Sequence, residues 1–130
     1  FVPLHCATYC FRNSEKIVAL MGGQFKRHGT GTFRTTIAQS DHPIMKGFPE
    51  MWKTPKGELY HIDKVWPTAK VLAKGSIDGG KKYHDCVWIN TYGKGKVFGT
   101  TLGHHNETMS EETYLDLVTR GLLWATGRLK

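Results

Sequence analysis

The chain has 130 residues, 18 Lys and Arg against 11 Asp and Glu, and is 39% hydrophobic and 22% charged, the composition of a globular domain and not of a disordered segment. About two-thirds of the unfolded surface is buried at this length, enough for one core, and no stretch approaches the roughly 20 apolar residues of a membrane helix. The formal charge of +7 is spread along the chain, with no basic run longer than the pairs Lys26-Arg27 and Lys81-Lys82, which reads as a solvated basic surface and argues against nucleic acid and membrane as partners.

Phe1-Val2-Pro3-Leu4 is apolar and gives way to His5-Cys6-Ala7-Thr8, the end of a buried strand and the start of a small-residue loop. This start is too short and uncharged for a signal peptide and reads as an internal cut, leaving the compartment, cytoplasmic or exported, to a preceding segment. Asn13-Ser14 offers a helix cap before Glu15, and Ile17, Val18, Leu20 and Met21 form an apolar stripe that Gly22-Gly23 ends. Residues 33–38 read as a strand leading into the Asp41-His42-Pro43 turn and the loop Lys46-Gly47-Phe48-Pro49. Further strands are expected at residues 58–62, 69–74, 86–90 and 96–102, punctuated by Ser76-Ile77-Asp78-Gly79-Gly80 and by Tyr92-Gly93-Lys94-Gly95-Lys96. Ser110-Glu111-Glu112 caps a last helix with Tyr114, Leu115, Leu117, Val118, Leu122 and Leu123 on one broad face and Gly127 at its end. The strand-loop-helix at each end looks like half of a crossover unit, so the expectation is an α/β sheet whose other units lie before Phe1.

Histidine is the chemical signal. His5, His61 and His104-His105 each follow a strand-like stretch, and ligands of open α/β sheets collect at the carboxyl ends of strands. His28, in the loop Lys26-Arg27-His28-Gly29, approaches from the side, whereas His42, in a turn, and His84 read as solvated or structural. A zinc site built from His5, His28, His61 and His104, with an oxygen from Glu58, is one reading, although neither HExxH nor paired-Cys spacing is present. A Cys6 nucleophile with His104 as base is another, set against a plain buried thiol. The cysteines Cys6, Cys10 and Cys86 are odd in number and form no CxxC pair, which argues against a disulfide framework. Gly93-Lys94-Gly95 lacks the rest of any phosphate-loop pattern and reads as a tight turn. Trp88 and Trp124 fall in core elements, while Trp52, Tyr60 and Trp66 are candidates for a binding wall that stacks on a sugar or a base.

His5-Cys6-Ala7-Thr8, Gly22-Gly23-Gln24-Phe25 with His28, Asp41-His42-Pro43-Ile44 with Gly47-Phe48-Pro49, Glu58-Leu59-Tyr60, Tyr92-Gly93-Lys94-Gly95-Lys96-Val97-Phe98, Leu102-Gly103-His104 and Gly121-Leu122-Leu123-Trp124-Ala125 occur in that order. The ordered set resembles the trehalose-utilisation (ThuA-like) family over nearly the whole chain. The resemblance implies a flavodoxin-like, class I glutamine amidotransferase-like α/β sheet with flanking helices, here the carboxy-terminal portion of a longer domain spanning residues 1–130. Exposed sheet faces and low stability alone are the expectation for such a portion. In amidotransferase relatives a nucleophilic Cys sits at the elbow after a central strand and a catalytic His follows a late strand. By position His5 stands at that elbow, Cys6 follows it and His104 takes the late-strand place. The Gly-x-Cys-x-Gly elbow is missing, so the resemblance implies acid-base or metal-ligand work and not glutaminase chemistry.

The family's link to disaccharide catabolism implies a carbohydrate-processing domain acting on a trehalose-like or keto-glycoside substrate. His5, Cys6 and His104 are then catalytic candidates, with Glu107 orienting a histidine as the amidotransferase acid does. His28, Glu58, Tyr60, His61 and His105 shape the polar wall. The cofactor is left open, with a divalent metal such as zinc in view, and a homo-oligomer is compatible with the sequence. A non-catalytic carbohydrate-binding module and a Cys-dependent hydrolase are the alternatives.

Overall fold

A computed structural model of the chain describes residues 1–31, 33–37, 41–77 and 80–130. A 3₁₀ turn at His5–Thr8 and helix α1 (Glu15–Met21) lead into strands β1 (Gly23–Gly31) and β2 (Phe33–Ile37), then a 3₁₀ turn at Pro43–Met45. Strands β3 (Met51–Lys53), β4 (Gly57–Val65), β5 (Lys70–Ile77), β6 (His84–Tyr92) and β7 (Gly95–Thr100) follow, and the short α2 (Asn106–Met109) and longer α3 (Glu112–Ala125) close the chain. The expected strand at 33–38 is present to Ile37. Ala38, Asp78 and Gly79 lie outside the described residues.

The sheet runs β3-β2-β5-β6-β7, antiparallel throughout, and β1 pairs β4 as a separate antiparallel ribbon. Antiparallel order follows from the short links: β6 and β7 are joined by Gly93-Lys94 alone, with Gly93 at φ 58°, as a two-residue hairpin turn requires. Gly-Lys-Gly is therefore the tight turn expected. Among the described residues the one parallel bridge joins segments far apart along the chain. The opening segment lies along β7, Phe98 and Thr100 donating backbone N–H bonds to the Phe1 and Pro3 carbonyls at 3.1 and 3.2 Å, with a parallel bridge from Leu4 to Thr100. This alignment delivers His5 to the end of β7.

Both faces of β6 are covered, so its apolar residues run consecutively and do not alternate. Trp88 and Asn90 turn toward α1: the Trp88 indole donates to the Met21 carbonyl at 2.7 Å, and the Asn90 amide donates to the Ala19 and Leu20 carbonyls. These side chains satisfy carbonyls that a helix end leaves unpaired, and Gly22, at φ 79°, terminates the helix as the sequence predicts. On the other face lies the core, with Ile44, Met45, Phe48, Leu72, Val87, Phe98, Leu102 and Leu117. Trp52, expected in a binding wall, is instead buried there, because β3 is held against β2 with Trp52 opposite Thr35. Trp66 is also away from the histidine cluster and carries the Lys64 ammonium over its ring.

Two expectations from the chain change. Residues 23–31 form the long strand β1 where a loop around His28 was expected, since pairing with β4 outweighs the weak strand preference of Gly and Lys. His61, read as following the stretch Glu58-Leu59-Tyr60, lies well inside β4, which runs beyond the expected end at residue 62 to Val65.

Candidate functional site

The 3₁₀ turn at His5–Thr8, the ribbon β1–β4 and the loop after β7 converge on one acid, Glu58. Its Oε2 lies 3.5 Å from His5 Nε2 and 3.3 Å from His104 Nδ1, and its Oε1 lies 3.7 Å from His28 Nδ1. Glu58 and His28 come from facing strands, with His28 opposite Tyr60 in the register. Period-two alternation then puts Glu58 and Tyr60 on the same face of β4. The Tyr60 ring packs on His5 at 4.3 Å between centroids and edge-on against Phe25 at 4.4 Å. His105 stacks edge-on against His104 at 4.4 Å. A cavity of about 370 Å³ opens beside this cluster, bordered by Leu4, His5, Cys6, Tyr60, His104, Met109 and Tyr114.

His5 is buried, and its Nδ1 lies 2.8 Å from the Thr101 carbonyl oxygen. His5 and His104 adopt φ of 41° and 80°, left-handed conformations that cost a residue with a Cβ free energy and are kept where the surrounding structure holds them. Burial depresses the His5 pKa below its ordinary value, the Thr101 hydrogen bond opposing, the neighbouring His104 adding to the fall and Glu58 opposing. Burial, with Glu58 nearby, pushes the Tyr60 hydroxyl up to about 12, so it stays a proton donor at neutral pH. One ligand atom each from His5, Glu58 and His104 lie within 4.8 Å of one another, the one such grouping of three or more His, Cys, Asp or Glu side chains among the described residues.

The predicted residues divide. His5, His104, Glu58, Tyr60 and His28 come together, with His105 alongside and Cys6, exposed, at the cavity's edge. No hydrogen bond joins the Cys6 thiol to an imidazole among the described residues, and Cys86 is fully buried, with its thiol pKa raised by that burial. Two residues stand elsewhere. Glu107 is exposed at the start of α2 and faces Lys56 at 4.0 Å, so Glu58 and not Glu107 is the acid beside the histidines. His61, on the opposite face of β4, stacks on His84 at 3.7 Å with the rings 12° from parallel.

Sequence reasoning missed the Thr101 carbonyl, which no side chain announces, and the pocket walls Tyr114 and Met109. It placed Glu58 on the wall, or as the oxygen donor of one zinc reading, where the structure makes it the hub of three histidines. The available signal was a lone acid ahead of the apolar Leu59-Tyr60.

The trehalose-utilisation (ThuA) family model matches residues 1–125. The chain is similar to a ThuA-like protein from Parabacteroides merdae, at 21% identity and a TM-score of 0.82, covering 99% of this chain and 61% of that one. A ThuA-like protein from Bacteroides uniformis is similar at 21% identity and 0.78, covering 99% and 59%. A GMP synthase-type protein from Thermoplasma acidophilum follows at 10% identity and 0.50, covering 98% and 59%. No curated protein matches. The chain thus spans about three-fifths of the length of these structures. These likenesses establish a mixed α/β, glutamine amidotransferase-like fold, and the match over residues 1–125 means that this chain belongs to the ThuA, or trehalose-utilisation, family.

Proposed function

We propose that this domain is a carbohydrate-processing enzyme unit, acting on a trehalose-like or keto-glycoside disaccharide bound in the cavity beside His5, Tyr60 and His104. The observation that carries this reading is the convergence of two imidazoles on Glu58 at a cavity wall, both held in costly backbone conformations. The family's description, trehalose utilisation, supplies the substrate class. His5, its Nδ1 tied to Thr101 and its Nε2 turned to Glu58, borders the cavity, and His104 offers it a half-exposed ring, the two serving as the acid-base pair. Glu58 orients both rings and stabilises positive charge that develops on either. The Tyr60 hydroxyl, kept protonated, donates to a sugar oxygen, and the aromatic rings of Tyr60 and Tyr114, which border the cavity, suit the apolar faces of a sugar ring.

Turnover and binding of a panel of trehalose, related disaccharides and their keto derivatives, measured for wild type, His5→Ala and His104→Ala, test the reading. Loss of about 10² to 10⁴ in kcat with affinity changed little is the expected result. Sugar binding without turnover in the wild type means an accessory binding module instead. Inactivation in step with alkylation of Cys6, which borders the same cavity, means a Cys-dependent hydrolase.

A further inference from the structure

Resting on that reading of the site, we infer that His5, Glu58 and His104 act on the substrate as the three protein ligands of a zinc ion whose open position faces the cavity. The Thr101 carbonyl only accepts hydrogen bonds, so the His5 nitrogen 2.8 Å from it, Nδ1, carries the ring proton. Nε2 then presents a lone pair. That atom is buried with no hydrogen-bond partner, on a side chain only 8% exposed, and it faces the Glu58 carboxylate at 3.5 Å. A lone pair and a carboxylate oxygen facing each other away from water repel unless a cation stands between them. A shared proton is the poor candidate, because a charge-assisted N–H···O bond draws its heavy atoms to about 2.7–2.9 Å.

The distances suit a larger cation. Two donors on neighbouring corners of a tetrahedron with bonds of about 2.0–2.2 Å are about 3.3–3.6 Å apart. Glu58 Oε2 lies 3.5 Å from His5 Nε2 and 3.3 Å from His104 Nδ1. Octahedral donors at about 2.1 Å sit closer, about 3.0 Å apart, which makes an iron-type facial arrangement the worse fit. All three ligand atoms lie within 4.8 Å of one another, a span that rotation of the half-exposed His104 ring closes. The donor set of two imidazoles and one carboxylate, without thiolate, is that of catalytic zinc centres with a fourth, open position. The His5 Nδ1–H bond to a backbone carbonyl is the outer support that metal-bound imidazoles normally have. Zinc bound there supplies Lewis acidity toward a sugar carbonyl or hydroxyl.

Elemental analysis by inductively coupled plasma mass spectrometry, after reconstitution with zinc and desalting, tests this on wild type, Glu58→Gln and His104→Ala. The cobalt-substituted protein gives a second readout through its visible spectrum. About one zinc per chain in the wild type, a tetrahedral cobalt spectrum, and less than about a tenth of the metal in both variants is the expected result. His104 is half exposed, so its variant keeps the core, and circular dichroism verifies this. A wild type that binds no zinc, variants that keep it, or iron at full occupancy overturns the assignment. The two readings fail separately: zinc-free protein that turns over a disaccharide sinks the metal alone, and zinc-loaded protein inert toward the whole panel sinks the carbohydrate reading alone.

Discussion

His104 carries a full side chain at φ 80°, where glycine would sit without cost. Its replacement by glycine therefore relieves backbone strain while removing the ring. His104→Gly is expected to raise stability by about 1 kcal/mol relative to His104→Ala, read from urea midpoints, and equal midpoints would show that the conformation costs nothing. His61 shows the opposite relation between charge and fold. Burial lowers its pKa from 6.5 to about 4, helped by His84, Arg27, Lys82 and His28. The stacked His84 is lowered for like reasons, with Asp85 opposing. The unfolded chain thus takes up protons before the folded one does, so this pair's contribution is complete above about pH 6.5 and is lost as pH falls toward about 4. Urea midpoints should fall through that window, and His61→Gln should flatten the fall; an unchanged pH profile in the variant would contradict it. At this scale the sequence marked residue types that the fold gathers, since Glu58 and four more of the nine candidates, His5, His28, Tyr60 and His104, lie together. It could not separate His5 from His61, because both follow apolar stretches and only the strand pairing shows which of them turns toward Glu58.

At the scale of elements, helices and strands were legible wherever a stop signal bounded an apolar pattern. α1 ends at Gly22 and α3 is followed by Gly127 at φ 77°, both as expected, although the Ser14 hydroxyl makes no capping bond. β1 was not legible, because its cross-strand partners lie from 26 residues away (Gly31 to Gly57) to 42 (Gly23 to Val65) and its own residues give no alternation. Two contacts between elements lend themselves to measurement. Gly121 presses α3 onto β7 so closely that an added methyl would overlap the Phe98 ring. Gly121→Ala should cost about 1–3 kcal/mol in urea unfolding despite alanine's better helix propensity, and a gain in stability would show that α3 has room to move. Asn90 ties β6 to the last turn of α1 through two carbonyls while accepting from Thr68 at 2.7 Å. Asn90→Leu, leaving those groups unpaired, should cost about 1–3 kcal/mol with hydrogen exchange accelerated first in α1; exchange rising evenly across the molecule would mean that α1 is held by other contacts.

Across the whole molecule, the site is assembled from four stretches that strand pairing brings together: the opening segment laid along β7, β1 paired with β4 in the separate ribbon, and the loop that follows β7. The family and fold were legible because short motifs keep their order along the chain. The choice of Glu58 over Glu107 was not, because it depends on which face of the ribbon looks toward the opening turn. The central claim is that Glu58 is the common partner of His5, His28 and His104. Ring-nitrogen chemical shifts of all seven histidines, recorded by long-range ¹H–¹⁵N NMR on chelator-treated wild type and Glu58→Gln, test it most directly. The account predicts that the signals of His5, His28 and His104 move together while those of His61 and His84 stay in place. Movement of only one of the three, or of none, would contradict it.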